Sequence, residues 1–351
     1  MAFFWENLVR PIMFRLDAES AHELGMSLLR SGLAAPYYAD ESSESTVVER
    51  FGLKFPNPVG IAAGFDKNAV AVNQLSSLGF GFVEIGTVTF NPQPGNSKPR
   101  MFRLPEDGAL INRLGFNNEG AKAVAERLSS LRRKCIVGVN IGKNKDVANE
   151  DATGNYLSCF ELLAPFADYV AINISSPNTP NLRKLQQSEN LDELLGALSG
   201  AAKGQVPLLV KIAPDLTEAE IEAAADICLK HGIAGMIATN TTISRDGLRS
   251  AGAARIGAGG LSGKPLRARA TEVIQTVYKH TQGKLPIIGV GGIFSGEDAF
   301  EKIAAGASLL QAYTGFVYGG PAFPRDVNVR LTEILTERGY SSVDQAVGSG
   351  I

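Results

Sequence analysis

The chain has 351 residues, 44% of them hydrophobic and 20% charged, with a formal net charge of −2. That is enough apolar chain for a sizeable α/β core, and the charge balance excludes the basic stripe of a nucleic-acid binder. Three scattered histidines (His22, His231, His280) and three cysteines without a CxxC exclude a metal centre built from them. The cysteines, Cys135, Cys159 and Cys228, read as buried thiols.

Residues 1–45 read as a helical segment. Phe4, Leu8, Ile12 and Leu16 follow three-to-four spacing, widened by Phe3, Trp5, Val9, Met13 and Phe14. Glu6, Arg10, Arg15 and Asp17 interrupt this stretch, so it is neither a secretory signal nor a membrane span. Asp17 or Ser20 is expected to start a second helix over Ala21 to Leu33, with Leu24, Leu28 and Leu29 on one side and Gly32 and Pro36 ending it. Asp40 to Thr46 is polar and reads as a linker. A short hairpin, Val47–Phe51 with Leu53–Phe55, turns at Gly52.

Residues 46–351 then alternate short apolar runs with amphipathic stretches such as Glu218–His231 and Glu297–Ala305. The runs are Val59–Ala62, Phe82–Ile85, Ile136–Val139, Tyr169–Ile172, Leu208–Ile212, Gly235–Ala238, Ile287–Val290 and Ser308–Gln311. Eight such runs predict a (β/α)8 TIM barrel with a small N-terminal helical extension. A doubly wound sheet is the runner-up, but no GxGxxG follows the first run. The gaps 88–135 and 240–285 are long, and in a barrel such insertions build the active site.

The segments just after these runs are rich in amides, hydroxyls and lysines and poor in acids. Ala63-Gly64-Phe65-Asp66-Lys67 comes after the first, Gly86-Thr87-Val88-Thr89 after the second and Asn140-Ile141-Gly142-Lys143-Asn144 after the third. Asn173 to Thr179 comes after the fourth. Lys211 lies in the fifth, which ends in Pro214-Asp215. Thr239-Asn240-Thr241-Thr242, Gly291-Gly292 and Tyr313-Thr314-Gly315 come after the last three. Each alone reads as a turn, a cap or a solvated charge. Together they suit an anionic ligand with carbonyl and imide edges, because Asn both donates and accepts. Gly291-Gly292 and Tyr313-Thr314 match the phosphate site of such barrels, where bare backbone amides approach a phosphate. A phosphorylated cofactor is expected.

These residues resemble the dihydroorotate dehydrogenase family over nearly the whole chain. The motifs are Ala62 to Lys67, Glu84 to Thr89, Phe102-Arg103-Leu104-Pro105, Ile111 to Asn117, Asn173 to Thr179, Ala238 to Thr242, Gly259 to Gly263 and Gly289 to Ile293. The resemblance implies FMN as cofactor and dihydroorotate and orotate as substrate and product, in pyrimidine biosynthesis. Dihydroorotate loses a proton from C5 and a hydride from C6, which goes to flavin N5. Ser176 looks like the base for the C5 proton, with Thr179 and a water chain as relay. Lys67, Asn112, Arg113, Leu114, Gly115, Phe116, Asn173, Asn178, Asn240 and Thr241 look like substrate contacts. Ala63, Gly64, Phe65, Asp66, Lys67, Thr87, Asn140, Asn173, Lys211, Thr239, Gly263, Gly292, Tyr313 and Thr314 look like FMN contacts, with Lys211 near flavin N1.

Class 1 members carry Cys as the base; serine here looks like class 2. Class 2 members also carry an N-terminal helical extension that docks on the membrane and admits quinone, as residues 1–45 would. The resemblance thus implies ubiquinone or menaquinone as electron acceptor, a peripheral site on the membrane surface and a monomer as the favoured state. Arg103, His22 and Tyr313 are candidates for the inner end of a quinone tunnel. The absence of a basic transit peptide favours the cytoplasmic face of a bacterial inner membrane. Asn181 departs from the family, which often has Gly there. Two other readings are a class 1-like enzyme passing electrons to fumarate or NAD, and a membrane-associated flavin- or nucleotide-binding barrel without catalysis.

Overall fold

The computed structural model describes residues 5–32 and 43–351. Phe3, Phe4, Pro36 and the first residues of the expected linker lie outside them. Eight parallel strands close into a barrel: β3 (Val59–Ile61), β4 (Phe82–Val88), β7 (Ile136–Ile141), β8 (Tyr169–Asn173), β9 (Leu208–Ile212), β10 (Gly235–Ala238), β12 (Ile287–Val290) and β13 (Leu309–Ala312). The eight expected runs are these eight strands, and the doubly wound alternative is excluded by the closure of β13 on β3. The strands are buried along their length because helices cover the outside and side chains fill the inside.

Two ends shift. β4 continues through Gly86-Thr87-Val88, with a register irregularity against β7 between Ile85 and Val88. Thr87 is therefore presented by a strand, not by a loop. The last strand begins at Leu309 and reaches Ala312, one residue beyond the expected end.

The hairpin of β1 (Val48–Arg50) and β2 (Leu53–Phe55) is present. It plugs the N-terminal mouth of the barrel. Phe55 meets Phe82 edge-on at 5.1 Å, and Phe51 lies 6.4 Å from Tyr169. The opposite mouth carries a three-stranded antiparallel sheet, made by β5 (Met101–Leu104), β6 (Ala109–Asn112) and β11 (Gly260–Gly263) in the order β11-β6-β5. The two long gaps are thus one structure, since each supplies strands to the same sheet.

The N-terminal segment is two helical pieces. Trp5–Val9 is a π-helical turn that runs into Arg10–Met13, where Pro11 stands in the first turn. Ala18–Arg30 is a regular helix whose Asp17 side chain accepts the amides of Glu19 and Ser20, so Asp17 is the cap. Trp5 Nε1 donates to the Tyr318 carbonyl at 2.8 Å, and Phe14 meets the Tyr318 ring at 5.2 Å. The second helix buries Ala18, Ala21, Met26 and Leu29 toward the barrel. Leu8, Ile12, Leu16 and Leu24 face outward, between 42% and 64% exposed. Among the described residues no helix is long and apolar enough to cross a membrane. Cys159 and Cys228 are buried and Cys135 is partly so; all three are free thiols.

Candidate active site

A cavity with about 1090 Å³ of open space, mouth included, lies over the C-terminal strand ends. It is lined by Ala63, Gly64, Lys67, Thr87, Asn112, Leu114, Gly115, Phe116, Asn173, Ser176, Asn178, Lys211, Thr239, Asn240, Thr241, Gly263, Gly292, Tyr313 and Thr314. Four of the expected contacts stand outside its lining. Asp66 is buried and accepts the amides of Asn68, Val70 and Ala71, so its carboxylate shapes the loop after β3. Asn140 bridges Thr87 and Glu84 from behind. Arg113 turns away to the carbonyls of Ile256 and Ala258, with its guanidinium over the Phe102 ring. Phe65 faces a second cavity beneath the N-terminal helices.

One face of the first cavity is an ordered amide frame. Thr87 Oγ1 donates to Asn140 Oδ1 at 2.6 Å and accepts Asn173 Nδ2 at 2.9 Å. Asn173 Oδ1 accepts Asn240 Nδ2 at 3.2 Å, and Asn240 Oδ1 accepts the Thr241 amide at 2.8 Å. Asn178 Nδ2 reaches the carbonyl and side-chain oxygens of Asn112 at 3.1 and 3.2 Å. β4, β7, β8, the loop after β10 and the sheet on top are thereby tied to one another, which fixes the directions of their donors.

Ser176 is 5% exposed, and its Oγ accepts the Asn178 amide at 3.2 Å. Ser176 also lines the cavity. Thr179 Oγ1 is buried and has no hydrogen-bond partner among the described residues. Lys67 faces the cavity rather than bulk solvent. Burial lowers its pKa to about 8, against the opposing pull of Glu19. At the floor, burial also lowers the pKa of Lys211, with Glu84 opposing.

Opposite the amide frame the backbone is bare. Gly263 and Gly292 have φ of +104° and +74°. A Cβ on Gly292 would sit 2.4 Å from Arg267 Cβ, and one on Gly263 would sit 2.3 Å from the Gly108 carbonyl oxygen. Both positions require glycine, and both present main chain to the cavity.

The second cavity has about 940 Å³ of open space and an almost wholly apolar lining. Trp5, Val9, Met13, Phe14, Leu28 and Leu29 of the N-terminal segment face Phe65, Phe316 and Val317 of the barrel. Met101, Leu110 and Tyr313 line both cavities, so the two share a wall. His22 and Arg103 both line this second cavity. Burial, with Lys67 adding to it, lowers the His22 pKa to about 3, so its ring is neutral. It stands edge-on to Phe65 at 4.8 Å. Arg103 donates to the carbonyls of Met13 and Leu16, which ties the first helical piece to β5.

With this geometry in place, the comparisons with known proteins are consistent throughout. A family model described as dihydroorotate dehydrogenase matches residues 45–335. The chain belongs to the dihydroorotate dehydrogenase family. A dihydroorotate dehydrogenase (quinone) of Gloeobacter violaceus is 51% identical over 351 residues, covering 97% of this chain and 98% of that one. One from Idiomarina loihiensis is 50% identical over 330 residues, covering 92% and 98%. The solved structure of the Eimeria tenella enzyme in complex with ferulenol matches with a TM-score of 0.89 at 42% identity, over 95% of each chain.

Within this family frame, Asn181 has a structural reason. Its φ is +57°, the left-handed region where glycine is unstrained and Asn is the best tolerated alternative. Sequence reading missed four site-shaping residues. Glu84 and Gln311 sit inside the barrel beneath the cavity, within runs that read only as buried strands. Tyr156 donates to the Asn173 carbonyl at 2.8 Å from an outer helix. Glu19 makes a bidentate pair with Arg100, 2.7 Å at its shortest, joining the second N-terminal helix to the segment before β5. Burial is the largest single influence on the Glu19 carboxyl and raises it, but the hydrogen bond and charge of Arg100, with the charges of Lys98 and Lys67, together outweigh it and its pKa is lowered. The one signal was Glu84, an acid in a β-branched run.

Proposed function

We propose that this chain oxidises dihydroorotate to orotate in pyrimidine biosynthesis, with FMN bound over the strand ends and a membrane quinone as final electron acceptor. The observation that carries this reading is the pair of cavities with a common wall at Met101, Leu110 and Tyr313. One carries the amide frame, Lys67, Lys211 and bare glycine backbone; the other is almost wholly apolar and roofed by the N-terminal helices. Such an arrangement suits two half-reactions that share a carrier but not a substrate site.

The residues fit FMN. Gly263 and Gly292, with Gly291, offer bare backbone for its phosphate, and Lys211 offers a cation for its ring system. Gln311 Oε1 is a buried acceptor without a partner among the described residues, at the floor of the same cavity. When bound, FMN supplies hydride acceptance from carbon and electron delivery to quinone.

The chain's own groups do the rest. Asn112, Asn173, Asn178 and Asn240 hold the planar pyrimidine by donor and acceptor contacts, and Lys67 faces its carboxylate. Ser176 Oγ takes the C5 proton. The hydroxyl is a weak base, so the burial of its loop and a path outward past Thr179 are part of its function. The N-terminal helices seal the apolar cavity on one side and present Leu8, Ile12, Leu16 and Leu24 on the other. We place that face on a membrane surface, on the cytoplasmic side of the inner membrane in a bacterial cell.

The test is one preparation assayed twice. The purified chain should carry FMN and turn over dihydroorotate faster with a short-chain quinone than with fumarate. Faster turnover with fumarate would remove the quinone assignment. A protein that neither carries nor takes up FMN would remove the enzymatic one.

A further inference from the structure

Arg183 takes no part in the proposed chemistry, yet three of its nitrogens go to three different loops. Nε donates to the Ser175 carbonyl at 3.0 Å, and Nη2 to the Thr241 carbonyl at 2.9 Å. Nη1 pairs with Asp215 Oδ2 at 2.8 Å. Asp215 in turn accepts the Thr242 hydroxyl and the Ile243 amide, the latter at 3.3 Å. Ser175 immediately precedes the proposed base. Thr241 is a proposed substrate contact and lines the cavity. Asp215 lies just beyond the end of β9.

We propose that Arg183 is a positioning residue for the reaction: it fixes the Ser176 loop against the loops after β9 and β10, and so sets the base over the substrate. This rests on the proposed dihydroorotate oxidation. The connection from β8 to the next long helix, Ser188–Ala202, contains no glycine, and its root is closed by Arg183 reaching back eight residues. A planar guanidinium serves three acceptors in fixed directions. A lysine, one compact charge, does not. The bonds are charge-assisted, hence stronger than neutral ones. A displacement of the base by about 1 Å costs on the order of 10²-fold in rate.

The experiment uses the full chain with its flavin. Arg183→Met and Arg183→Lys are followed by stopped-flow flavin reduction with dihydroorotate, by reoxidation with a short-chain quinone and by amide hydrogen exchange of residues 176–182. Arg183→Met should slow reduction by roughly 10- to 100-fold, leave reoxidation unchanged and speed exchange in 176–182 but not in the barrel strands. Arg183→Lys should keep the Asp215 pair, lose the two carbonyl bonds and fall between. It also gives the same readouts if the methionine variant does not fold. Wild-type reduction, equal loss in both half-reactions, or unchanged exchange would each overturn the proposal. If the wild-type protein does not reduce its flavin with dihydroorotate, the functional reading falls instead, and exchange alone decides whether Arg183 holds the loop.

Discussion

Lys211 Nζ stands 4.0 Å from Glu84 Oε1, a carboxylate with no solvent exposure at the floor of the cavity. Glu84 also accepts Asn140 Nδ2 at 2.9 Å, the Tyr169 hydroxyl at 2.9 Å and Gln311 Nε2 at 2.7 Å. Lys211→Met leaves this charge buried without its ionic partner. Breaking a buried pair costs about 3–5 kcal/mol, and the three remaining hydrogen bonds favour the low end. The urea midpoint should fall accordingly. The potential of bound FMN should also move to more negative values, because a cation near the reduced ring is lost. An unchanged midpoint and potential would show that Lys211 is not the cavity's working charge.

Ser176→Ala removes the proposed base and the acceptor of the Asn178 amide together. Flavin reduction by dihydroorotate should drop by at least about 10²-fold, the low end for general-base catalysis, while FMN content stays the same. Ser176→Cys keeps a group able to take a proton and should retain more activity than alanine. Thr179→Val, which removes a buried hydroxyl unpaired among the described residues, should slow reduction by less than Ser176→Ala. Normal reduction in the alanine variant would take Ser176 out of its role.

The contrast between Ser176 and Glu84 shows what could be read without coordinates. Strand-end chemistry is local: a β-branched run followed by Asn, Ser and Thr announces a loop site, and Lys67, Asn173, Asn178, Asn240 and Thr314 all line the cavity. Groups inside the barrel are not announced in that way. Gln311 lies in a run that period and propensity read only as a buried strand, and which interior groups it meets depends on shear between strands distant in sequence. The same holds for the sheet β11-β6-β5. The paired strands β6 and β11 are far apart in the chain, with Asn112 facing Gly260, and antiparallel pairing over such a separation leaves no periodic signal. Asp66 stands outside the cavity lining, its carboxylate taken up by the amides of Asn68, Val70 and Ala71, because a short carboxylate after a strand is as well used in capping its own loop as in binding.

Orotate affinity should depend on pH through Lys67. Burial lowers this group from 10.5 to about 8, so the ammonium persists below pH 8 and is lost above it. Binding of an anionic pyrimidine should be strongest below that pH and weaken as the pH rises through it. The effect on folding has the opposite sense. The unfolded chain holds this proton up to about pH 10.5 while the folded one gives it up near 8, so the destabilising contribution is full below pH 8 and relieved between about 8 and 10.5. Titrating orotate against flavin absorbance at several pH values checks the first point. Lys67→Met should bind more weakly at pH 7 and lose the pH dependence between 7 and 9. An unaltered slope would assign the dependence to another group.

The outward leucines of the N-terminal helices can be tested without touching either cavity wall that carries chemistry. Leu8, Ile12 and Leu24 are 53%, 64% and 43% exposed, and none of them lines the apolar cavity. Replacing all three with serine should leave the fold intact, because surface changes away from packed groups cost little. Each contributes roughly 1 kcal/mol on burial in a bilayer interface, from about half of a side chain's transfer energy. Together they should lower partitioning onto vesicles by about 10²-fold. Reduction of the bound flavin by dihydroorotate should be unchanged, whereas turnover with a long-chain quinone held in vesicles should fall. Arg10 and Arg15 are offset by Glu6 and Asp17 on the same segment, so the loss should be nearly the same on neutral and anionic vesicles. Unaltered vesicle partitioning in the triple variant would place the membrane contact elsewhere, or nowhere on this chain.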